Sequence, residues 1–308
     1  MPQSVTNILS QPIPTVKYVI PGLIPENGHI IISGRGKIGK SYLALEMTSC
    51  LVRKAPFLSI FPALNPVKVL LVQAEMPANV FIVQRLFPMA KVCQCSDTDR
   101  FFLEQSTSFR LSNIDDVARL KASIDSCSPD LLIVDPLYSI HVGSFNEAGA
   151  VNETLQTLNF LSNQCHCAVC LVAHFRKEST TNSGKRIEQD WVDIMGSALF
   201  SAWADTIISV VPDENNDNRR KLSFVTRWLP NIGEMIVDFN AVPPFYSACS
   251  ISPKMRIMSE LVSGKATSAS AIAKRLGVNY AQTLQFLKNM ADTNILFVVN
   301  GEYKYSPA

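Results

Sequence analysis

The stretch Ile30-Ile31-Ile32-Ser33-Gly34-Arg35-Gly36-Lys37-Ile38-Gly39-Lys40-Ser41 constrains the fold of this chain more than any other. A β-branched apolar run leads directly into a turn that fits G-x-x-x-x-G-K-[ST] at Gly34, Gly39, Lys40 and Ser41, and a helix-compatible segment follows. A strand that feeds a helix through so tight a turn is the first half of a βαβ unit. That predicts an α/β fold with a mostly parallel sheet covered by helices on both faces. The glycines let successive N–H groups converge on one point, and the helix N-terminus adds partial positive charge there. Such a cradle suits phosphate. The candidate nucleotide-binding residues are Gly34, Arg35, Gly36, Lys37, Ile38, Gly39, Lys40, Ser41 and Tyr42. Lys40 is expected to reach the β- and γ-phosphates of ATP and Ser41 to ligate Mg²⁺. The bland alternative is a Gly-rich turn that happens to contain Lys-Ser.

The rest of the chain keeps the alternation the first unit implies. Short Val/Ile/Leu runs at 29–33, 67–73, 101–104, 131–134 and 168–173 read as strands. Segments 42–52, 78–87, 114–125 and 150–164 read as helices between them. Strand-like runs at 205–211, 221–227 and 234–239 lack intervening helices, so they are expected to extend the sheet edge, partly antiparallel. Residues 213–220 (DENNDNRR) read as a polar hairpin loop. The expected domains are an N-terminal irregular arm at 1–27, an ATPase domain at 28–240, a linker at 241–252 marked by Pro243-Pro244, and a small domain at 253–308. In the last, helices at 254–262, 268–276 and 280–293 precede strands at 295–299 and 302–305 joined by Asn300-Gly301, a strong hairpin signal. Three helices and a hairpin make the winged-helix arrangement.

A P-loop needs a carboxylate on the metal side. Asp135 closes the apolar run DLLIVD and is the candidate second Mg²⁺ ligand, against a plain strand-ending Asp before Pro136. No Glu follows it directly. Glu75, in LLVQAEMP, is therefore the candidate for activating water, against a solvated loop carboxylate. The eight Cys include Cys93 with Cys95, and Cys165 with Cys167 and Cys170. C-x-C is not the usual zinc spacing, and these Cys fall in apolar surroundings, so they read as small hydrophobes. Free thiols, a polar start without a signal peptide and no apolar run near 18 residues point to the cytoplasm and to no membrane span.

Taken in order, these motifs resemble the RecA-like ATPase core of RepA-type hexameric replicative helicases, which are related to DnaB-type helicases. The matching residues are the P-loop, Glu75-Met76-Pro77, DLLIVDPL at 130–137, CLVAHFRK at 170–177, GSALFSAWADTII at 196–208 and LSFVTRW at 222–228. The resemblance spans roughly residues 20–240. It implies Glu75 as the water-activating group, His174 as a polar sensor of the γ-phosphate, and Arg227 as an arginine finger reaching the neighbouring subunit's nucleotide. Alone, His174 reads equally as a capping residue and Arg227 as an edge-strand arginine facing water. Many relatives carry Lys two residues before the finger, where this chain has Val225.

Lys+Arg (28) barely exceeds Asp+Glu (26), so no overall charge advertises nucleic acid and any basic surface is local. The resemblance implies that loops 141–149 and 178–194, the second carrying Lys185 and Arg186, face a ring's channel and contact single-stranded DNA. In the C-terminal segment Lys and Arg outnumber Asp and Glu. Lys274, Arg275, Tyr280, Gln282 and Lys288, with Thr283 and Gln285, are candidate contacts to single- or double-stranded DNA. The expected protein is a hexameric ATP-driven DNA helicase served by a primase or loader. The competing reading is an ATP-switched DNA-binding regulator or loader that does not unwind.

Overall fold

The computed structural model describes residues 2–12, 16–174, 198–229, 232–262, 268–292 and 296–305. A short helix α1 (Val5–Leu9) precedes the hairpin β1 (Tyr18–Ile20) and β2 (Ile24–Pro25). The expected irregular arm thus contains structure. Ile20, Leu23 and Ile24 are fully buried, and burial of these apolar side chains fixes the hairpin against the body of the protein.

Among the described residues, the central layer is a nine-stranded sheet. Its parallel part contains β3 (His29–Gly34), β4 (Val69–Gln73), β5 (Phe101–Gln105), β6 (Leu131–Asp135), β7 (Ala168–His174) and β8 (Thr206–Asp213). From β8 outward, β9 (Asn216–Thr226), β10 (Glu234–Phe239) and β11 (Tyr246–Ile251) pair antiparallel. The order is β11-β10-β9-β8-β3-β7-β6-β4-β5. Two sequence expectations change here. Most of residues 213–220 belongs to strands, because only Glu214 and Asn215 form the turn. The side chains of residues 214–218 stay exposed while the backbones of Asn216 and Arg220 pair across the hairpin, so polarity alone misplaces the loop. The stretch read as a linker from Pro243-Pro244 contributes β11, with Phe245 and Tyr246 buried.

Both faces of the sheet are covered. On one lies α2 (Lys40–Val52), together with α3 (Ala78–Phe81), a π-helical turn at Ile82–Leu86 and α4 (Phe87–Ala90). A short α5 (Cys95–Thr98) precedes β5. Residues 43–52 of α2 are buried all round, which explains why their sequence shows no clean polar stripe. The other face carries α6 (Ile114–Cys127), α7 (Leu137–Ile140), α8 (Ala148–Cys165) and α9 (Ala198–Trp203). Helix α6 is the better-signposted kind. Asn113 Oδ1 accepts from the N–H groups of Asp115 and Asp116, and Ser128 ends it in a left-handed conformation.

Downstream lie α10 (Pro253–Val262), α11 (Ala269–Leu276) and α12 (Tyr280–Asp292), then the antiparallel hairpin β12 (Leu296–Val299) and β13 (Glu302–Tyr305). Ser268 caps α11 and Gly277 closes it at φ +63°. Met255 and Met258 of α10 line one small cavity with Pro21, Ile60, Phe61, Leu229 and Ile232, and one apolar cluster runs from the sheet into this segment. Among the described residues, no helix is long and apolar enough to cross a membrane.

Candidate nucleotide site

Because β3, β7, β6 and β4 run parallel, their C-terminal ends lie along one edge of the sheet. Register pairs Gly34 with His174 and Gln73 with Asp135, which brings the candidate residues of four distant segments together. The loop after β3 is built for close approach by an anion. Lys37 (φ +62°) and Gly39 (φ +111°) are left-handed, the alternation that turns backbone N–H groups inward. A Cβ at Gly39 would run into the Tyr246 hydroxyl and the Phe239 ring, so only glycine fits.

Lys40 opens α2 and is 5 % exposed. Its Nζ donates to Arg35 O at 2.7 Å and lies 3.3 Å from His174 Nδ1. Burial lowers its pKa to about 8, although Asp135 and Glu75 pull the other way. His174 is pushed down to about 4 by burial and then by Lys40, so its ring is neutral at pH 7 and can accept from the ammonium. Ser41 Oγ donates to Asp135 Oδ1 at 3.1 Å. Asp135 is almost fully buried, and loss of hydration raises its pKa to about 6. The hydroxyl and the carboxylate are hard oxygen donors and fit Mg²⁺, which prefers them and keeps much of its water.

Glu75 is exposed beyond β4, and Tyr138 Oη donates to its Oε1 at 2.5 Å. Burial, then Glu75, raises Tyr138 to about 12, so it remains a donor throughout the physiological range. The Tyr138 and His174 rings lie 5.2 Å apart. Tyr138 is one of four residues that the sequence reading missed. Arg85 lies in the π-helical turn, 3.9 Å from the centroid of Tyr42, and its charge lowers the pKa of Asp135. Its Nε is buried without a hydrogen bond among the described residues. Arg220 Nε donates to Ile38 O at 2.9 Å, and Tyr246 Oη donates to Gly39 O at 3.1 Å, so the antiparallel strands buttress the loop. A cation in the helical segment directly after Glu75 was a readable signal for Arg85; nothing local marks Arg220 or Tyr246.

Arg227 lies elsewhere. It follows β9 at the opposite edge of the sheet, beside Asp205, whose own N–H reaches His29 O at the start of β3. At about 3.3 Å per residue, the length of β3 puts roughly 17 Å between Arg227 and the phosphate loop of its own chain. Lys185 and Arg186 lie outside the described residues. In loop 141–149, His141 is buried with Nδ1 2.8 Å from Thr154 Oγ1, and Phe145 lies against its ring at a tilt, with centroids 4.2 Å apart. In the C-terminal segment Lys274, Tyr280, Gln282 and Lys288 are exposed, whereas Arg275 is tied to Glu260 at 2.8 Å. Thr283, expected at the surface, is buried and bonds Asn279 O, because it falls on the core side of α12 beside Phe286 and Leu287.

A glycine-rich loop between a central parallel strand and a buried helix, with a strand-end carboxylate bonded to its serine, defines a P-loop nucleotide-binding site. The sequence profile of the AAA domain family matches residues 1–180, and the chain belongs to that family. No curated protein matches the chain in sequence. Among solved structures it is similar to the ATPase domain of a phage helicase, with TM-score 0.52 and 11% identity over 73% of this chain and 86% of that one. It is also similar to the RadB recombinase, with TM-score 0.51 and 16% identity over 73% of this chain and 92% of that one. At such identities the likeness is one of fold, and that fold is the RecA-like P-loop architecture.

Proposed function

We propose that the protein is a Mg·ATP-hydrolysing motor of the RepA type that acts on DNA as a ring of identical subunits. The observation that carries this reading is the convergence of Lys40, Ser41, Asp135, Glu75 and His174 on one sheet edge, while Arg227 sits at the other. An arginine that distant from its own phosphate loop can serve a nucleotide only on a neighbouring subunit. The similar structures, the ATPase domain of a helicase and a recombinase, agree with a nucleic-acid motor.

In this mechanism the N–H groups of Gly34–Tyr42 and Lys40 hold the phosphates. Lys40 exchanges its contacts with Arg35 O and His174 for phosphate oxygens, which gives a buried ammonium the anionic partner it otherwise lacks at close range. Ser41 and Asp135 would hold Mg²⁺, which would supply positive charge against the β- and γ-phosphates. Glu75, oriented by Tyr138, takes a proton from the attacking water, whose oxygen bonds to the γ-phosphorus as the bond to ADP breaks. His174 contacts the γ-phosphate and reports its loss through Lys40 and Tyr138. Arg85 balances Asp135. The segment 253–308 acts as a winged helix, with Lys274, Tyr280, Gln282 and Lys288 toward DNA and Arg275 held back by Glu260. Val298 and Val299 are exposed on its hairpin, which favours protein docking in the regulator or loader reading.

The test is the rate of ATP hydrolysis with and without single-stranded DNA, alongside the mass of the assembly. Stimulation by DNA in a ring-sized oligomer is expected. A monomer with DNA-independent turnover would overturn the motor. For the DNA contacts, Lys274→Ala and Lys288→Ala should each lower the salt slope of binding by about one.

A further inference from the structure

At the sheet edge opposite the P-loop, backbone and side chains converge on Asp205. Its N–H donates to His29 O at 2.8 Å, and its carbonyl accepts from Arg227 N–H at 2.9 Å. Its carboxylate repeats the bridge: Oδ2 accepts from the His29 backbone N–H at 2.9 Å, and Oδ1 lies 3.0 Å from Arg227 Nε. Arg227 Nη2 donates to Ala202 O at 2.7 Å and lies 3.4 Å from Ala204 O, at the end of α9. The guanidinium is therefore gripped along its Nε–Nη2 side. Arginine has five N–H donors in a rigid fork, and among the described residues this grip leaves the Nη1 pair for another acceptor. The side chain remains 57% exposed, so the outward end is open.

The support beneath Asp205 is firm. His29 stacks on Trp203 with centroids 4.2 Å apart, and Trp203 Nε1 donates to Asn159 Oδ1 at 2.7 Å. Burial lowers the pKa of His29, so the imidazole is neutral at pH 7 and Arg227 is the cation that faces the carboxylate. A cavity of about 220 Å³ opens beside the pair, walled by Ser201, Ala202, Thr226 and Arg227. Ser201 Oγ is buried there without a hydrogen-bond partner among the described residues.

We propose that Asp205 is a positioning residue that holds Arg227 with its Nη1 edge outward, as a preset group for the nucleotide phosphate of the adjoining subunit. This rests on the ring reading above. A free surface arginine must be ordered each time it engages, and a held one is ordered already. An ordinary surface ion pair would contribute little and would not depend on which side of the fork is gripped.

The experiment is a double-mutant cycle on the full chain, with kcat and KM for Mg·ATP measured beside urea denaturation. Asp205→Asn is expected to lower kcat by roughly 10- to 100-fold, the range for misplaced catalytic groups, with KM unchanged. It should add nothing when Arg227 is already alanine, and Asp205→Glu should recover part of the loss. If Arg227→Ala is slow but Asp205→Asn turns over at the wild-type rate, the positioning role falls and the ring reading stands. If Arg227→Ala itself turns over normally, the finger falls and this inference with it. An additive loss in the double variant would make Asp205 a structural residue and overturn the proposal. Arg227→Lys covers the case in which Asp205→Asn does not fold. Lysine keeps the charge but lacks a second side to grip, so it should be nearly as slow as Arg227→Ala. A lysine variant near the wild-type rate would overturn the positioning role.

Discussion

Lys40→Met should stabilise the nucleotide-free protein while abolishing its affinity for Mg·ATP. Lys40 is 5 % exposed, and burial has lowered its ammonium from 10.5 to about 8. At about 1.4 kcal/mol per pH unit, that gap makes the charged form cost roughly 3 kcal/mol in the folded state. Methionine removes the cost and fills a similar space. It also loses the bonds to Arg35 O and His174 Nδ1, which offsets on the order of 1 kcal/mol. The expected net gain at pH 7 is about 2 kcal/mol. Its pH dependence follows from the direction of the shift. Below pH 8 Lys40 is charged both folded and unfolded, and the whole cost is present. Between pH 8 and 10.5 the folded chain has released the proton that the unfolded chain keeps, so wild-type stability rises with pH. The advantage of the variant should therefore shrink across that window. Urea denaturation of both proteins at about pH 7 and about pH 10, with reductant and without nucleotide, measures it, and calorimetric titration with Mg·ATP measures binding. A variant less stable than wild type at neutral pH, or an advantage that does not change with pH, would refute the reasoning.

Three further substitutions probe the same edge of the sheet. Glu75→Gln should bind ATP normally and release phosphate about 10²–10⁴-fold more slowly, because the amide keeps the shape and loses the base; near-normal turnover in a phosphate-release assay would remove Glu75 from the chemistry. Tyr138→Phe leaves Glu75 without its donor and should lower kcat about tenfold with little change in KM, since a hydrogen bond to a charged group that is partly exposed is worth on the order of 1.5 kcal/mol. Gly39→Ala places a methyl group against Tyr246 and Phe239 at a left-handed position, so it should destabilise the fold by about 1–3 kcal/mol in denaturant titration and weaken nucleotide binding with it.

What the sequence made legible was local or periodic. The P-loop is one contiguous string, so its strand, turn and helix could be placed together. Asp135 and His174 close apolar runs, and in a parallel sheet the ends of such runs share an edge. The helix at 114–125 shows in the spacing of Ile114, Val117, Leu120 and Ile124, and Gly277 marks the end of the helix before it; the caps Asn113 and Ser268 fix where the two helices start. What stayed hidden depends on the third dimension. Tyr138 becomes relevant only because the turn after β6 faces the end of β4. Arg220 and Tyr246 support the phosphate loop from more than 180 residues downstream, through carbonyl oxygens that carry no side-chain signature. Strand β11 was masked by Pro243-Pro244, which reads as a breaker, although the pairing begins only at Tyr246. The burial of Thr283 shows the same limit at smaller scale: a polar residue on α12 took a core position because its hydroxyl could bond Asn279 O one turn earlier.

The ninth strand of the sheet also has a mechanical meaning. Near one end of β11, Phe245 N–H donates to Glu46 Oε2 of α2 at 2.7 Å and the Tyr246 hydroxyl holds Gly39 O. At the other end, Ile251 is followed by Ser252, whose hydroxyl donates to Ile232 O and accepts from Met255 N–H of α10. A paired strand resists compression and extension along its length, and five of the six residues of β11 pair with β10, the ladder stepping over Cys249 at a bulge. The six residues span about 20 Å. Strand β11 thus ties the phosphate loop to the first C-terminal helix: a displacement of Gly39 has a continuous run of bonded residues through which to reach α10, with the bulge at Cys249 as its one compliant point.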